Sequence, residues 1–208
     1  MIDDSMQRYL EAAASRSPTP GGGSVSALAG ALGAAMASMT ANFTVGKKKY
    51  EDVQEEAKRI LAESEKCRMR LEELVAEDVR AYAKVSSACS LPKETEEDRE
   101  KRMLDITGAT KEAVLVPLEI AKSCFRILEL CRRLVEIGNQ RLISDVGVSA
   151  LLAEAALRAA NLNIEINLAV LEDRTFVEEK RKTVKSLLTE GSRISEEVVN
   201  KVEKEILK

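Results

Sequence analysis

Apolar residues recur at steps of three and four over most of this chain, which is the spacing of α-helices with one buried face. Neither the alternation of a strand nor the turn signal of a hairpin competes with this pattern. The sequence therefore predicts an all-α fold, a single-domain bundle of long helices over residues 1–208. The predicted helices cover residues 2–14, Gly23 or Ser24 to about Phe43, 50–89, 95 to about 134, 144 to about 171, and a last helix that starts at Asp173 or Thr175 and is interrupted or bent at Gly191.

Residues that cap or break helices mark several of these boundaries. Thr95, with Asp98 three places on, has the spacing of a capping box. Ser144 is predicted to cap the fifth helix, after a break at 138–139. Pro117 predicts a kink inside the fourth helix, because proline removes a backbone hydrogen bond.

Residues 17–46 carry no charged side chain, although 32% of the chain is charged. The stretch opens with Pro-Gly-Gly-Gly-Ser at 20–24 and continues in Ala, Gly, Ser and Met. A glycine turn before a helix leaves backbone N–H groups free to hold an anionic or polar ligand. The length would suit a membrane span. The weakly apolar composition and the early glycines and prolines instead favour a buried helix of a soluble bundle, without a membrane partner.

The composition excludes several classes of function. A net charge of -3 and 3% aromatic residues do not favour a nucleic-acid partner. The N-terminus does not resemble a signal peptide, and the four cysteines have neither metal-site nor disulfide spacing, so a cytoplasmic location with reduced thiols is expected. The chain contains no histidine, which excludes His-based triads and most zinc sites. No metal is expected, and proton transfer must use carboxylates, Lys, Tyr, Cys or water.

Asp78 interrupts the apolar stripe of the third helix. The stripe runs through Leu71, Val75, Tyr82, Val85 and Cys89, and Asp78 occupies one of its positions. A carboxylate at such a position is either hydrogen-bonded or has a raised pKa, and both states suit an acid or base. An aspartate satisfied by a neighbouring helix, or one that faces a shallow groove, accounts for the pattern equally well.

Asp145 lies at the start of the fifth helix, on the side opposite to that helix's charged stripe of Glu154, Arg158 and Glu165. It is either a functional carboxylate or a first-turn aspartate stabilised by the helix dipole. Asn163 and Asn167 fall on the same side but about five turns or more further along, and are expected to bridge helices rather than to join the same site.

Two further features have both a functional and a structural interpretation. The lysines at 47–49 either receive an anionic tail or form a solvated helix end. Lys93 follows a helix-breaking proline and is either a functional loop residue or a surface lysine. The glycine turn is not a P-loop, since no Gly-Lys-Ser/Thr closes it, and is not a dinucleotide fingerprint, since no strand precedes it.

Four segments together resemble a known family. They are PTPGGGSVSALAGALGAAMASM, AEDVRAY, LPKET, and GN followed by SD at 144–145. In this order they are similar to the formiminotransferase-cyclodeaminase C-terminal family, over about residues 5–205. That family includes formimidoyltetrahydrofolate cyclodeaminases and methenyltetrahydrofolate cyclohydrolases. The glutamate formiminotransferase half of bifunctional members has no counterpart, so the chain resembles a free-standing cyclodeaminase domain.

The resemblance implies an all-helical homodimer that binds tetrahydrofolate in a cleft near the subunit interface. It implies that Asp78 is the catalytic aspartate, with Asp145 and Lys93 in supporting catalytic roles. The implied substrate-binding residues are Gly21, Gly22, Gly23, Ser24, Tyr82, Asn139 and Ser144. No cofactor is implied, because the tetrahydrofolate derivative is itself the substrate.

The implied activity is that of an ammonia lyase in one-carbon metabolism and histidine degradation. N10 of 5-formimidoyltetrahydrofolate attacks the formimidoyl carbon, and ammonia leaves. Two alternatives remain open. One is a cyclohydrolase that opens methenyltetrahydrofolate to 10-formyltetrahydrofolate, and the other is a non-catalytic helical protein that binds folate or a protein partner.

Overall fold

The computed structural model describes residues 5–208, and every regular element in this part of the chain is helical. The beginning of the first predicted helix, at residues 2–4, lies outside the described residues. The six α-helices are α1 Met6–Ala13, α2 Gly22–Asn42, α3 Gln54–Cys89, α4 Glu96–Ile137, α5 Ile143–Leu168 and α6 Arg174–Ile206, with short 3₁₀ turns at Lys48–Val53 and Gln140–Leu142. The prediction of an all-α fold is confirmed.

Helix α2 lies at the centre of the bundle, packed against α3, α4 and α5. Its glycines allow this close approach. A β-carbon at Gly30 would lie 2.7 Å from Sγ of Cys124 on α4, and one at Gly33 would lie 3.1 Å from the backbone oxygen of Ser149 on α5. Among the described helices α2 alone has the length and hydropathy of a membrane span, and 61% of its 18-residue apolar window is buried in the bundle.

Leucine and isoleucine side chains of the longer helices complete the core. They form one buried cluster with the alanines of α2, so the chain has a continuous core although it is poor in aromatic residues. The largest fully buried side chains include Ile60, Leu71, Leu74, Ile120, Ile127, Leu128, Leu134, Leu157, Ile164, Leu168 and Ile194.

Several helix ends agree with the sequence prediction. Thr95 and Asp98 form both halves of the capping box at the start of α4. Asp173 caps α6 by accepting a hydrogen bond from the backbone N–H of Phe176 at 3.1 Å. Helix α4 continues through Pro117 from Glu96 to Ile137.

Four boundary predictions need correction. Ser144 does not cap α5; it lies inside that helix, which follows directly from the 3₁₀ turn at Gln140–Leu142. Residues 50–53 belong to a 3₁₀ turn rather than to α3. Helix α2 begins at Gly22, with Gly21 as its N-cap. Gly191 does not interrupt α6, and its missing side chain leaves room for Leu157, whose Cδ2 would lie 2.6 Å from a β-carbon there.

Candidate functional site

The start of α2 holds the carboxylate of Asp78. Residues 18–21 turn the chain into the helix, and the backbone N–H of Ser24, in the first helical turn, donates to Oδ2 of Asp78 at 2.9 Å. The first N–H groups of a helix have no partner inside it, and the helix dipole favours negative charge there. A carboxylate from the middle of α3 therefore satisfies a donor at the N-terminus of α2.

Gly23 makes this contact sterically feasible. A β-carbon on residue 23 would overlap Oδ1 of Asp78 and would lie 2.5 Å from its carboxyl carbon. Gly23 is buried, so the carboxylate could not move aside without leaving its hydrogen bond to Ser24. One glycine of the run is thus needed for the position of the carboxylate.

Burial raises the pKa of Asp78 above its ordinary value, because desolvation opposes the charged form, and the hydrogen bond from Ser24 offsets part of this effect. Tyr9 on α1 lies behind Ser24, with its hydroxyl 2.9 Å from Oγ of Ser24. Burial also raises the pKa of Tyr9, and the nearby charge of Asp78 adds to the rise. Tyr9, Ser24 and Asp78 thus form a continuous polar cluster inside the bundle.

A pocket of about 350 Å³, called here the Asp78 pocket, opens beside this cluster. The turn before α2, α3, α4 and α5 all contribute to its walls. Its lining includes Thr19, Gly21, Gly22, Gly23, Asp78, Tyr82, Val85, Ala113, Asn163, Ile166 and Asn167. Among the lining residues that the structure describes, Asp78 has the only carboxyl group, and none is a lysine or an arginine.

Asn163 and Asn167 enter this pocket from α5. Nδ2 of Asn163 donates to the backbone oxygen of Ala159 at 2.9 Å. Nδ2 of Asn167 donates to the backbone oxygens of Asn163, at 3.0 Å, and Ala113, at 3.2 Å. The contact with Ala113 joins α5 to α4, which confirms the prediction that Asn167 bridges helices. That both side chains also lie beside Asp78 was not anticipated.

The structure brings together most of the predicted residues from the first two motifs. The Asp78 pocket is lined by Gly21, Gly22, Gly23, Asp78 and Tyr82. Ser24 does not line it but donates its backbone N–H to Asp78. Tyr82 is 46% exposed and lies on the α3 side of the pocket. Tyr9 was missed, because a tyrosine on the apolar side of a short helix gives no sign of a polar partner.

The remaining predicted residues lie outside this pocket. Lys93 is an exposed residue of the loop between α3 and α4, and its backbone N–H donates to the side chain of Glu94. Ser144 and Asp145 lie in the first turn of α5. A catalytic role for Lys93 and Asp145 and a binding role for Ser144 stay predictions.

Asn139 lies at the opposite end of α2, about 30 Å from Gly22 along the helix axis. Its Oδ1 accepts from the backbone N–H of Arg141 at 3.1 Å, and its Nδ2 donates to the backbone oxygen of Phe43 at 3.1 Å. It lines a second depression, of about 520 Å³, together with Lys47, Lys49, Tyr50 and Arg141 among others. Its binding role also stays a prediction.

Two further observations bear on the chemistry. In the described part of the chain, no three His, Cys, Asp or Glu side chains lie close enough together to hold a metal ion. All four cysteines are free, with Cys124 and Cys131 buried and Cys89 exposed.

Comparison with known proteins places this site in context. The family model described as formiminotransferase-cyclodeaminase matches residues 5–186. The methenyltetrahydrofolate cyclohydrolase of Methylorubrum extorquens is 40% identical over 98% of both chains. The formimidoyltransferase-cyclodeaminase of Rattus norvegicus is 34% identical over 92% of this chain, which spans only 35% of that longer protein. The crystal structure of formiminotetrahydrofolate cyclodeaminase from Thermotoga maritima has a TM-score of 0.81 and 34% identity, covering 98% of this chain and 96% of the other.

Proposed function

The chain belongs to the formiminotransferase-cyclodeaminase family, and we propose that it closes the 5-formimidoyl group of tetrahydrofolate onto N10, with release of ammonia. The family acts on tetrahydrofolate derivatives. The observation that carries the proposal is the carboxylate of Asp78, held against the glycine turn in a pocket without cationic side chains.

The reaction needs one proton to move between two nitrogens of the same substrate. N10 attacks the carbon of the formimidoyl group, whose terminal nitrogen is protonated, and this gives a tetrahedral carbon bonded to N5, N10, hydrogen and an amino group. Asp78 takes the proton from N10 and delivers it to the amino group, which leaves as ammonia. The carboxylate returns to its starting state, and the positive charge of the substrate is retained in the methenyl ring.

The electrostatics of the pocket suit this reaction. Both the protonated formimidoyl group and the methenyl product carry positive charge, and no lysine or arginine lines the pocket to oppose them. A raised pKa brings Asp78 closer to the pH at which a group both accepts and donates a proton efficiently. The substrate supplies its own nucleophile, so the absence of histidine is no obstacle.

In this proposal the glycine turn at Gly21, Gly22, Gly23 and Ser24 contacts the substrate, and Tyr82 borders the pterin. Lys93, Asp145, Asn139 and Ser144 do not line the Asp78 pocket, so the proposal gives proton transfer to Asp78 alone and the roles of these four residues stay predictions. No cofactor is proposed, because the folate is the substrate.

A second candidate function is that of a methenyltetrahydrofolate cyclohydrolase. It is favoured by the 40% identity to the Methylorubrum extorquens protein of that name, which covers nearly all of both chains. Water, activated by Asp78, would attack the methenyl carbon, and the ring would open to 10-formyltetrahydrofolate. The two reactions share the methenyl carbon and differ in whether water enters or ammonia leaves.

Two assays on the purified protein separate these candidates. A cyclodeaminase releases ammonia from 5-formimidoyltetrahydrofolate as the methenyl absorbance appears, whereas a cyclohydrolase makes the absorbance of methenyltetrahydrofolate decay. We expect Asp78→Asn to abolish the activity that is found, and the exposed Asp105→Asn to retain it. Activity with neither substrate would remove the proposed function, and a non-catalytic folate-binding or interaction protein would then remain.

We also propose that the protein is a homodimer formed through one apolar face of α2 and α5. The face consists of exposed apolar side chains: Val25, Leu32, Phe43, Val148, Leu151, Leu162 and Ile166. Lys47, Lys49 and Arg141 border it at the Phe43 end. A shallow apolar groove between these helices, which includes Gly22 and Asn163, joins the face to the Asp78 pocket. A two-fold dimer buries the same surface on both subunits, so an apolar face can pair with itself.

Sedimentation tests this dimer. We expect Leu32→Glu to shift the wild-type dimer to a monomer, because a charge would be buried at the interface. Leu104→Glu, an equally drastic change at an exposed leucine on α4, should leave the dimer intact. A monomeric wild-type protein would contradict the proposal.

The cellular setting is a proposal as well. Four free cysteines fit a reducing cytoplasm. Histidine degradation would supply the formimidoyl group, and neither a membrane nor a nucleic acid is proposed as a partner.

A further inference from the structure

Two asparagines of α5 have a side-chain oxygen that the fold does not use. Asn163 and Asn167 both direct their amide nitrogen to backbone carbonyl oxygens. A carbonyl oxygen can only accept a hydrogen bond, so these contacts fix each amide with its nitrogen toward the backbone. Within the described residues, no donor is bonded to Oδ1 of either side chain. Every fully buried side-chain oxygen in this part of the chain does have a partner, so an oxygen without one is not fully buried. Both oxygens are therefore accessible rather than sealed in the core.

Asn163 also borders the shallow apolar groove, and the space that both asparagines share is the Asp78 pocket. Both asparagines line it, and Gly22 lies against the amide of Asn163, where a β-carbon would come within 3.3 Å of Oδ1. With the carboxylate of Asp78, the described lining then offers two amide oxygens and a carboxylate as acceptors, besides the hydroxyl groups of Thr19 and Tyr82, and no lysine or arginine. Such a surface favours a ligand with an edge of hydrogen-bond donors.

Helix stability does not explain the pair. Asparagine is a poor helix former, because its side chain competes for backbone hydrogen bonds. The two asparagines nevertheless stand one turn apart inside α5. The hydrogen bond from Asn167 to Ala113 uses Nδ2 of the asparagine, so Oδ1 of Asn167 stays available to accept a hydrogen bond from a ligand.

We propose that Asn163 and Asn167 determine the specificity for the pteridine ring, by accepting hydrogen bonds from its 2-amino group and the adjacent ring N–H. This inference rests on the proposed function, since it assumes a reduced folate in the Asp78 pocket. It assigns recognition of the ring to α5 and leaves Asp78 free for proton transfer at N10. A site built to accept from a ligand N–H rejects an analogue that lacks it, because the acceptor then stays unpaired.

The test compares two ligands in calorimetry. The first is 5-formyltetrahydrofolate, an unreactive analogue of the substrate, and the second is its 2-desamino-2-methyl analogue. We expect the wild-type protein to bind the first about tenfold more tightly. Asn167→Leu and Asn163→Leu should each weaken binding of 5-formyltetrahydrofolate. The variant that loses the partner of the 2-amino group should leave the analogue unaffected, so that the preference shrinks, whereas the variant that loses the partner of the ring N–H should weaken both ligands, because the analogue retains that N–H. Asn161→Leu, on the same helix but outside the pocket, is the matched control and should keep the full preference.

Turnover gives an independent readout. Loss of ring recognition should raise KM about tenfold while kcat stays within about threefold of wild type, unlike the loss of kcat expected on changing Asp78. Circular dichroism identifies a variant that fails to fold, in which case the other asparagine carries the test. If the wild-type protein binds 5-formyltetrahydrofolate but both folded variants retain the full preference, the inference is wrong and the proposed function stands. If the wild type binds neither ligand, both are wrong.

Discussion

Gly23 and Asp78 occupy mutually dependent positions: a β-carbon on residue 23 would overlap the carboxylate that Ser24 holds by its backbone N–H. The glycine run therefore has a second use besides letting a ligand approach the backbone. It allows a side chain of α3 to reach the N-terminus of α2. A substitution in the turn should consequently affect the acid–base group directly.

Gly23→Ala should lower kcat by about 100-fold or more, because the displaced carboxylate loses its alignment with the reacting nitrogens. Gly108→Ala is the matched control, since a β-carbon there meets open space. It should leave turnover unchanged and stabilise α4 by about 0.5–1 kcal/mol. Turnover of Gly23→Ala within threefold of wild type would show that the position of Asp78 is not critical.

Asp78→Asn should separate activity from stability. We expect kcat to fall by a factor of about 10²–10⁴, while thermal melting at neutral pH occurs at an equal or higher temperature. Burial raises the pKa of Asp78 in the folded state, so ionisation of this group opposes folding and the neutral amide removes that cost. A lower melting temperature at neutral pH would contradict this account.

The raised pKa of Asp78 also fixes the sign of a pH effect. The folded state binds this proton more tightly than the unfolded state, so the contribution of Asp78 to stability decreases as pH rises through its two pKa values. For catalysis the carboxylate is the base, and the acidic limb of the kcat/KM profile should lie above the ordinary pKa of aspartate. Tyr9 and Tyr82 are the other titratable groups beside it, and burial raises the pKa of Tyr9 further above this range. A limb at the ordinary aspartate pKa would argue that another group controls the rate.

The packing of α2 against α4 predicts that a substitution at Cys124 compensates for the loss of stability caused by one at Gly30. Gly30→Ala would bring a β-carbon to 2.7 Å from Sγ of Cys124 and should destabilise the protein by about 1–3 kcal/mol. Cys124→Ala removes that sulfur. Urea unfolding should therefore find the double variant more stable than the sum of the single effects, by at least about 0.5 kcal/mol. Strict additivity would mean that the side chain of Leu71, whose methyl groups would lie 3.3 Å from the new β-carbon, rather than the sulfur, limits the approach.

The capping box of α4 predicts a stability effect far from the Asp78 pocket. Thr95→Ala removes the acceptor for the N–H of Asp98, at 3.1 Å, and should cost about 1 kcal/mol in urea unfolding. Thr183→Ala makes the same change in the interior of α6 and should be neutral or slightly stabilising. Turnover should be unchanged in both variants, and equal unfolding free energies for the two would show that the cap contributes nothing.

The sequence predicted much of the fold because helix periodicity and capping are local. The capping box at Thr95 and the cap at Asp173 depend on residues within one turn, and both are present. The cap predicted at Ser144 failed for an equally local reason. A 3₁₀ turn runs directly into α5, which starts one residue before that serine.

The composition of the pocket was less accessible from the sequence. Asp78 stood out because it broke an apolar stripe. Asn163 and Asn167 did not stand out, because their positions along α5 do not show which part of α3 lies beside them. Tyr9 gave no signal, because its partner is a serine on another helix.

The four cysteines differ in their chemical accessibility, and this has a practical consequence. Cys124 and Cys131 are buried, burial raises the pKa of Cys67, and Cys89 is exposed at the last residue of α3. A thiol-directed dye should therefore attach first at Cys89, about 16 Å along α3 from Asp78. The natural chain thus carries a thiol for a fluorescent reporter on the same helix as Asp78, and no cysteine has to be introduced for labelling.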